Sequence, residues 1–485
     1  MKEQISIFDS LKDDVIISLN QFEIIDNGDY YLLIIPETGA WVAFAAADIA
    51  ILKYLSISKK ICEIRESGYN NIEKLIDQLF YSGIIRINNK DIFMLKNHNE
   101  LDCDKKGFGL PMFWVLKYTN SCNLRCDYCY SYDKQIKNRV IIPNEYIYKI
   151  SELIGDTEDP FKLCFCFHGG EPLTRYNDII ECVDMLKRLR NGNVEFSIQT
   201  NGTLLSPTIA EYLKQEDFSV GISVDGYDSD TNRLRPYANH KTSINSTLKA
   251  IENCIKVGII PGIILVMTKN NYNRAIDIIE HFSTMGIKSF HFIHFLPSGR
   301  GEHKERDFSV PIAELLDIRI KMLLYINDYN SQREPENHIS ERLTRNIIKS
   351  LTRPNQMTYM CAESPCGAGR KMMALTYDGN LYPCDDFCNN PSFKVGNVNE
   401  ITNLKQTMRQ SYAIKICQSH CVENITKCKS CIYKKICISH CCSDSYYYTG
   451  EFNSPHSTCE FIRSYIPMVI DLIYRNRIQV ENLIH

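Results

Sequence analysis

The stretch Cys122-Asn123-Leu124-Arg125-Cys126-Asp127-Tyr128-Cys129-Tyr130 places three cysteines on one short loop, with three and then two residues between them. A four-iron four-sulfur cube normally takes one thiolate at each of its four irons. Three thiolates therefore leave one iron open, which suits a metal centre that must bind an outside ligand. A structural zinc site is the alternative, but its nearest further ligand, His168, lies well downstream.

The composition favours metal chemistry over disulfides. The chain has 485 residues, of which 44% are hydrophobic, and a formal net charge of −3, which suggests about three domains. No basic run suggests nucleic-acid binding, and no apolar segment approaches the ~20 residues of a membrane helix. The polar N-terminal segment is unlike a signal peptide, so we expect a cytoplasmic protein. In that reducing compartment, 21 cysteines indicate metal or redox clusters.

The middle of the chain has the pattern of an α/β barrel. From Met112 to about Arg300, segments of strand character alternate with helical segments, which predicts a parallel sheet. The predicted strands are 113–118, 163–167, 195–199, 219–224, 262–267 and 289–295. The polar motifs follow the C-terminal ends of these strands, the face on which barrels carry their active sites.

The second strand leads into His168-Gly169-Gly170-Glu171-Pro172, in which paired glycines allow a ligand to approach the backbone closely. With the cysteine loop, this motif resembles the radical SAM superfamily, whose cluster binds S-adenosylmethionine (SAM) at the open iron and releases a 5′-deoxyadenosyl radical. The resemblance implies a partial (β/α)6 TIM barrel over residues 112–305. It also implies roles for these residues: Cys122, Cys126 and Cys129 as cluster ligands, Tyr128 beside adenine, and Gly169, Gly170 and Glu171 at the SAM amino group.

Further SAM contacts are implied by the same resemblance. Asn201 and Ser223 match ribose contacts, and Asp225 matches a nearby polar support. Turn-forming Asn and Ser residues without a ligand are the alternative. Arg235 matches an arginine that pairs with the SAM carboxylate, although the His-Asp preceding it in related maturases is replaced here by Thr231-Asn232.

The N-terminal 100 residues have a different pattern. Residues 15–35 and 40–44 have strand character, helical patterns follow at about 47–54 and 72–80, and a strand follows at 84–87. This order resembles the winged-helix recognition element of enzymes that modify ribosomally synthesised peptides (RiPPs). The resemblance implies that residues 1–100 bind a leader peptide as an extra strand on an exposed sheet edge. A packing domain without a ligand is the alternative.

Cysteines become frequent again after a predicted helical bridge over residues 306–360. The spacing of Cys366, Gly379 and Cys384, and then of the later cysteines, resembles the SPASM domain, the auxiliary-cluster module of radical SAM peptide maturases. The domain would span 361–465, before a C-terminal helix at 466–485. The resemblance implies two auxiliary ligand sets: Cys366, Cys384 and Cys441 with Cys361 as the natural fourth ligand, and Cys428, Cys431, Cys437 and Cys459. Zinc knuckles are the alternative, and without Cys361 the first cluster would keep an open site for a substrate thiolate.

Asp385, directly after Cys384, matches an aspartate that acts as a general base in sulfatase-maturing relatives. An exposed turn aspartate without a function is the alternative.

Together these resemblances predict an enzyme with SAM and three four-iron four-sulfur clusters. It would modify a precursor peptide held by its leader and form a thioether from a cysteine, with a flavodoxin- or ferredoxin-like electron donor. Carbon–carbon crosslinking is the nearest variant, and maturation of a sulfatase Cys or Ser to formylglycine is the enzymatic alternative. An iron–sulfur electron carrier or a peptide-binding scaffold is the alternative from another class.

Overall fold

The computed structural model describes residues 6–91, 109–132, 140–155, 162–354 and 360–484. Its N-terminal part forms two small antiparallel sheets, ordered β5-β1-β6-β7 and β2-β3-β4. The strands are β1 Ile16–Leu19, β2 Glu23–Asp26, β3 Tyr30–Ile35, β4 Ala40–Ala45, β5 Lys59–Lys60, β6 Ile85–Ile87 and β7 Lys90–Asp91. The helices are α1 Ile7–Ser10, α2 Ala50–Tyr54, α3 Ile61–Arg65 and α4 Ile72–Tyr81. The winged-helix assignment stays a prediction.

The barrel region has six parallel strands, close to their predicted bounds. They are β8 Phe113–Thr119, β9 Leu163–Gly169, β10 Val194–Thr200, β11 Ser219–Ser223, β12 Gly262–Met267 and β13 Ser289–His294. The helices of this region are α5 Asn144–Ile154, α6 Tyr176–Leu189, α7 Pro207–Gln215, α8 Ile244–Lys256, α9 Ala275–Thr284 and α10 Glu305–Phe308.

Strands β10 to β13 bury one face and leave the other partly open. In β12, Ile263, Leu265 and Met267 are buried, whereas Ile264 and Val266 remain partly exposed. The open face, here called the lumen face, consists of partly exposed residues that alternate with buried ones: Ser197, Gln199, Ser223, Ile264, Val266, His291 and Ile293. The polar motifs at the C-terminal ends of these strands lie along the edge of this face.

The sheet continues beyond the barrel at both ends, in the order β14-β13-β12-β11-β10-β9-β8-β15-β16-β17. The predicted bridge is interrupted, because it contains α11 Ile312–Ser331, then β14 Ser340–Glu341 paired parallel to β13, then α12 Arg342–Thr352. At the other end β15 Met372–Thr376 pairs parallel to β8 and is followed by β16 Asn380–Tyr382 and β17 Gly396–Asn397. The C-terminal domain is therefore fixed to the barrel through shared backbone hydrogen bonds.

The remaining helices are α13 Leu404–Gln410, α14 Tyr412–Ser419, α15 Thr426–Lys429, α16 Cys442–Thr449 and α17 Cys459–Tyr474. The predicted C-terminal helix thus ends at Tyr474, and a short turn of 3₁₀-helix follows at Val480–Asn482. None of the helices in the described ranges combines the length and apolar character of a membrane span.

The N-terminal sheet docks on the rest of the molecule through β3. Its side chains alternate, so that Leu33 and Ile35 enter the N-terminal core while Tyr30, Leu32 and Ile34 enter the main core. Tyr30 stacks on Tyr474, with ring centroids 4.2 Å apart. These apolar contacts hold the N-terminal domain against the main core.

Candidate active site and cluster sites

The loop that carries the first three cysteines is held on two sides by backbone contacts. Arg125 N donates to Pro236 O at 2.8 Å, and Asp127 N donates to Leu234 O at 2.9 Å. On the other side Arg300 N donates to Cys129 O at 3.0 Å. Gly299 is required there, because a Cβ atom would lie 2.3 Å from Cys129 O. The contact of residues 299–300 with this loop was not predicted from the sequence.

The three thiols of the loop lie near one another. Cys126 is buried, Cys129 partly exposed and Cys122 exposed. Burial raises the pKa of Cys126 to about 12, although Arg235 opposes this, and the nearby Cys129 and Cys122 thiols raise it further. A cluster binds thiolates, so its iron would take the place of protons that the metal-free loop retains. A convergent three-thiol set fits a cluster with one open iron.

Gly169 and Gly170 pack against the backbone that leads into the loop. A Cβ atom at Gly169 would lie 2.5 Å from Thr119 O, and one at Gly170 would lie 2.3 Å from Ser121 O. The backbone pairs directly, since Gly170 N donates to Thr119 O and Glu171 N donates to Ser121 O, both at 2.6 Å. The glycine pair therefore fixes the end of β8 to the end of β9.

Glu171 is buried and accepts hydrogen bonds from three donors. These are Leu173 N at 3.0 Å, Thr200 Oγ1 at 2.7 Å and Asn201 N at 2.7 Å. Burial raises the pKa of this carboxyl, and the hydrogen bonds oppose that effect. Glu171 thus ties the ends of β9 and β10 together, and its contact with the SAM amino group stays a prediction.

Tyr128, Asp225 and Arg235 form one buried hydrogen-bond chain. Arg235 Nη1 donates to Tyr128 Oη at 2.9 Å, and Tyr128 Oη donates to Asp225 Oδ2 at 2.5 Å. Asn232 supports the chain, because its Oδ1 accepts from Asp225 N at 3.0 Å. The Thr231-Asn232 pair that departs from the family pattern therefore helps to position Asp225.

Asn201 and Ser223 lie at the same end of the sheet. Asn201 Nδ2 donates to Asn123 Oδ1 in the cluster loop at 3.0 Å and lies 3.9 Å from Cys122 Sγ. Ser223 Oγ accepts from Gln199 Nε2 at 2.8 Å on the lumen face. Asn201 therefore lies beside the cluster loop, and the ribose contacts of Asn201 and Ser223 stay predictions.

A second hydrogen-bond chain, which sequence reasoning missed, leads from the barrel to Asp385. His168 Nδ1 accepts from Gly169 N at 2.7 Å, so its proton lies on Nε2, 3.4 Å from Tyr130 Oη. Tyr130 Oη donates to Asp385 Oδ2 at 2.7 Å, and Lys117 Nζ lies 3.8 Å from the same oxygen. Burial opposes ionisation of Asp385, but Lys117, His168 and Tyr130 together lower its pKa. Asp385 is therefore held by specific partners and is not an exposed turn residue.

The first predicted auxiliary set converges near this aspartate. Burial, the nearby Asp386 and the thiols of Cys366 and Cys361 raise the pKa of Cys441. Burial, the two neighbouring aspartates and Cys441 likewise raise the pKa of Cys384. The proximity of these thiols fits a shared metal group, and the ligand assignment stays a prediction.

The second predicted auxiliary set lines one cavity of about 450 Å³, a volume that includes space open to solvent. The cavity is bordered by all four predicted ligands, Cys428, Cys431, Cys437 and Cys459. Burial raises the pKa of Cys437 to about 12, and the other three thiols contribute in the same direction. Four convergent thiols around a cavity fit a fully ligated iron–sulfur cluster.

Comparisons with protein families agree with this geometry. Residues 116–282 match the model of the radical SAM superfamily, and residues 366–432 match that of the SPASM iron–sulfur cluster-binding domain. The chain therefore has a radical SAM domain, which binds SAM and a four-iron four-sulfur cluster, and a SPASM domain, which binds auxiliary iron–sulfur clusters. It is a radical SAM/SPASM enzyme related to sulfatase maturases and peptide modifiers.

Two sequence relatives represent these two groups. The cysteine-type anaerobic sulfatase-maturating enzyme of Clostridium novyi is 28% identical over 370 residues, which cover 72% of this chain and 92% of the relative. The radical SAM cyclopropyl synthase TigE of Paramaledivibacter caminithermalis is 30% identical over 223 residues, covering 42% of this chain and 46% of TigE.

Two solved structures share the fold. Native anSMEcpe with bound AdoMet has a TM-score of 0.64 at 19% identity and covers 75% of this chain and 99% of its own. Streptococcus suis SuiB bound to the precursor peptide SuiA has a TM-score of 0.55 at 20% identity, covering 93% of this chain and 99% of its own.

Proposed function

We propose that this enzyme modifies a ribosomally synthesised precursor peptide and forms a thioether between a cysteine sulfur and a peptide carbon. The observation that carries the proposal is the N-terminal domain, which is docked on the catalytic region by β3. The likeness to SuiB, whose structure contains a precursor peptide, extends over 93% of this chain, whereas the likeness to anSMEcpe covers 75%. An N-terminal extension of this kind suits an enzyme that must first capture a leader.

The leader would add to the free edge of β2. This strand lies at one end of its sheet and pairs with β3 alone among the described residues. Its residues are largely exposed, and Ile24 is 51% exposed. A peptide strand could continue the backbone ladder there, with Ile24 as an apolar contact.

The cofactors, when bound, supply a 5′-deoxyadenosyl radical that removes one hydrogen atom from the peptide and a cluster that accepts one electron as the new bond closes. Asp385 would take the proton of the substrate thiol, because its carboxylate lies beside Cys384 and is kept ionised by Lys117 and Tyr130. The peptide would thus lose two hydrogens in total. One leaves as a hydrogen atom taken by the radical, and the other leaves as the thiol proton taken by Asp385 while one electron passes to the cluster. A flavodoxin- or ferredoxin-like protein would supply the electron that starts the reaction.

Sulfatase maturation is the second candidate. It is favoured by the match to the Clostridium novyi enzyme over 92% of that relative and by the position of Asp385. It would use the same barrel and the same base, but it gives no role to the N-terminal domain.

Mass spectrometry after anaerobic incubation with SAM and dithionite separates these candidates. The peptide probes are Cys-containing peptides encoded beside the gene and a peptide with a sulfatase Cys motif. A neighbouring peptide that becomes lighter by two hydrogens and resists thiol alkylation would support the thioether. Conversion of the sulfatase peptide to formylglycine, with the neighbouring peptides unchanged, would replace our proposal by the second candidate.

A further inference from the structure

Helix α12 carries three basic residues on one face, and Arg353, its C-terminal capping residue, adds a fourth. Arg342, Arg345, Lys349 and Arg353 are spaced by three, four and four residues, which brings them to one side of a helix. All four are partly exposed, and the helix, Arg342–Thr352, contains no acidic residue. We call this face the basic stripe.

The centre of the basic stripe lacks compensating negative charge. Arg353 pairs with Glu481, but in the part of the chain that the structure describes, the head groups of Arg345 and Lys349 have no hydrogen bond or ion pair. Glu341, an acidic residue whose charge acts on Arg345, is already bound to Arg319 at 3.1 Å and to Thr344 N at 2.9 Å. These two positive charges therefore remain available to an anion.

The neighbouring charges make this arrangement unfavourable for the folded protein by itself. Burial and Arg342 lower the pKa of Arg345, and burial, Arg345 and Arg353 lower the pKa of Lys349. Like charges held this close repel one another, so a fold gains nothing from them unless a ligand compensates.

The basic stripe connects two regions that a bound peptide would have to reach. Its first turn lies beside the lumen face, because α12 packs against β13, the strand that carries His291, and the charges of Arg342 and Arg345 act on that imidazole. Its last turn contacts the N-terminal domain, where Trp41 Nε1 donates to Leu351 O at 2.8 Å. The eleven residue-to-residue steps from 342 to 353 correspond to roughly 16 Å along the helix axis.

We propose that the basic stripe binds an acidic segment of the peptide substrate as it passes from the N-terminal domain to the lumen face. This inference rests on the proposed function, since it assumes that the substrate is a peptide held at both places. Carboxylates on the segment would pair with Arg345 and Lys349, the charges that have no described partner. The substrate would thus carry glutamate or aspartate between its leader and the residues that are modified.

The test measures binding without chemistry. The reconstituted full-length protein is titrated, without SAM or reductant, into a fluorescein-labelled peptide of alternating glutamate and glycine, and fluorescence anisotropy is recorded at low ionic strength. The counterpart probe has glutamine in place of glutamate. We expect the acidic probe to bind more tightly, and the R345Q/K349Q variant to weaken its binding by about tenfold.

The matched control is K405Q/R409Q, which removes the same charges at the same spacing from exposed positions of α13. It should change binding by less than about twofold, because net charge alone has only a weak, screened effect. Iron content should be unchanged in both variants. The unfolding temperature of R345Q/K349Q should be equal to or higher than that of the wild type, since repulsion is removed.

Equal weakening in both double variants, or none in R345Q/K349Q, would overturn the inference. So would stronger competition by a single-stranded DNA oligonucleotide of equal charge, which would assign the stripe to nucleic acid instead. If the acidic probe binds as expected but the enzyme modifies none of the tested peptides, the basic stripe is still an anion-binding surface and the proposed function is wrong. The two failures are therefore distinguishable.

Discussion

The SAM-cluster loop and the second auxiliary site hold their cysteines in opposite ways. Cys122, Cys126 and Cys129 lie on one short loop whose backbone is clamped by residues 234–236 and by Arg300. The second set comes instead from α15, from the turns after it and from the first residue of α17, around an open cavity. The first loop is thus shaped by hydrogen bonds of the polypeptide, whereas we predict that the second site needs its metal in addition to the few side-chain contacts, such as Lys427 with Glu460, that join its segments.

Replacing Cys126 by alanine should give the largest functional effect and a small structural one. The variant should lose about four iron atoms per chain and all SAM-dependent 5′-deoxyadenosine. Its unfolding temperature should stay within a few degrees of the wild type, because the clamping bonds to Pro236 and Leu234 use backbone atoms. Iron analysis, chromatography of nucleosides and thermal unfolding check this.

The matched control is Cys254→Ala, which removes a buried thiol on α8 outside both cysteine patterns. It should keep its iron and its deoxyadenosine. The comparison fails if Cys126→Ala loses as much stability as we expect below for Cys437→Ala in the second auxiliary set. In that case the SAM-cluster loop is not preformed.

Replacing Cys437 by alanine should have the opposite result, with a large loss of stability and a smaller loss of deoxyadenosine formation. Loss of one predicted ligand would remove the metal link between the α15 segment and α17 and leave only side-chain contacts such as Lys427 with Glu460, so we expect a loss of about 4 kcal/mol or more in stability, in the range of a lost structural metal. The same loop also supports the N-terminal domain, since a Cβ atom at Gly39 would lie 3.1 Å from Lys435 Cβ. Proteolysis should therefore release the N-terminal domain faster, while some deoxyadenosine formation persists. Unchanged proteolysis with an iron loss would show that the loop is stable without its cluster.

The sequence predicted the elements that local pattern determines. The strand bounds of the barrel, and the position of the polar motifs at strand ends, follow from periodicity and Gly-rich turns. The pairing of β15 with β8 and the interruption of the bridge by β14 depend on contacts between distant segments, which periodicity does not carry. The chain from His168 through Tyr130 to Asp385 was missed for the same reason, because its members are joined only when three separate segments meet. A buried lysine in a strand, Lys117, was the one local signal that could have indicated it.

Replacing Gly170 by alanine tests how tightly the SAM-cluster loop is positioned. The new Cβ atom would lie 2.3 Å from Ser121 O, and this backbone atom directly precedes the first cysteine. The loop must shift, and we expect deoxyadenosine formation to fall about 100-fold, as for a misplacement of roughly 1 Å. Gly262→Ala is the control, since its Cβ would meet only Ser289 Oγ, at 3.9 Å. Equal rates in the two variants would mean that the loop tolerates displacement.

The smallest expected effect concerns His168, which links the two cluster regions. Burial and Lys117 lower its pKa to about 4 from the ordinary value of 6.5, so the folded protein keeps this imidazole neutral. As pH falls below 6.5 the unfolded chain binds a proton that the folded protein does not, and stability decreases until pH reaches about 4. Between about pH 7.5 and pH 5.5 the wild type should lose about 1 kcal/mol of folding stability through His168. The unfolding temperature should therefore fall by about 2 °C less in His168→Gln than in the wild type over this pH range. His303→Gln, at a side chain that is 89% exposed, should leave the pH dependence unchanged. An identical fall in the wild type and in His168→Gln would show that the pKa of His168 is the same in the folded protein as in the unfolded chain, so that folding does not hold this imidazole neutral.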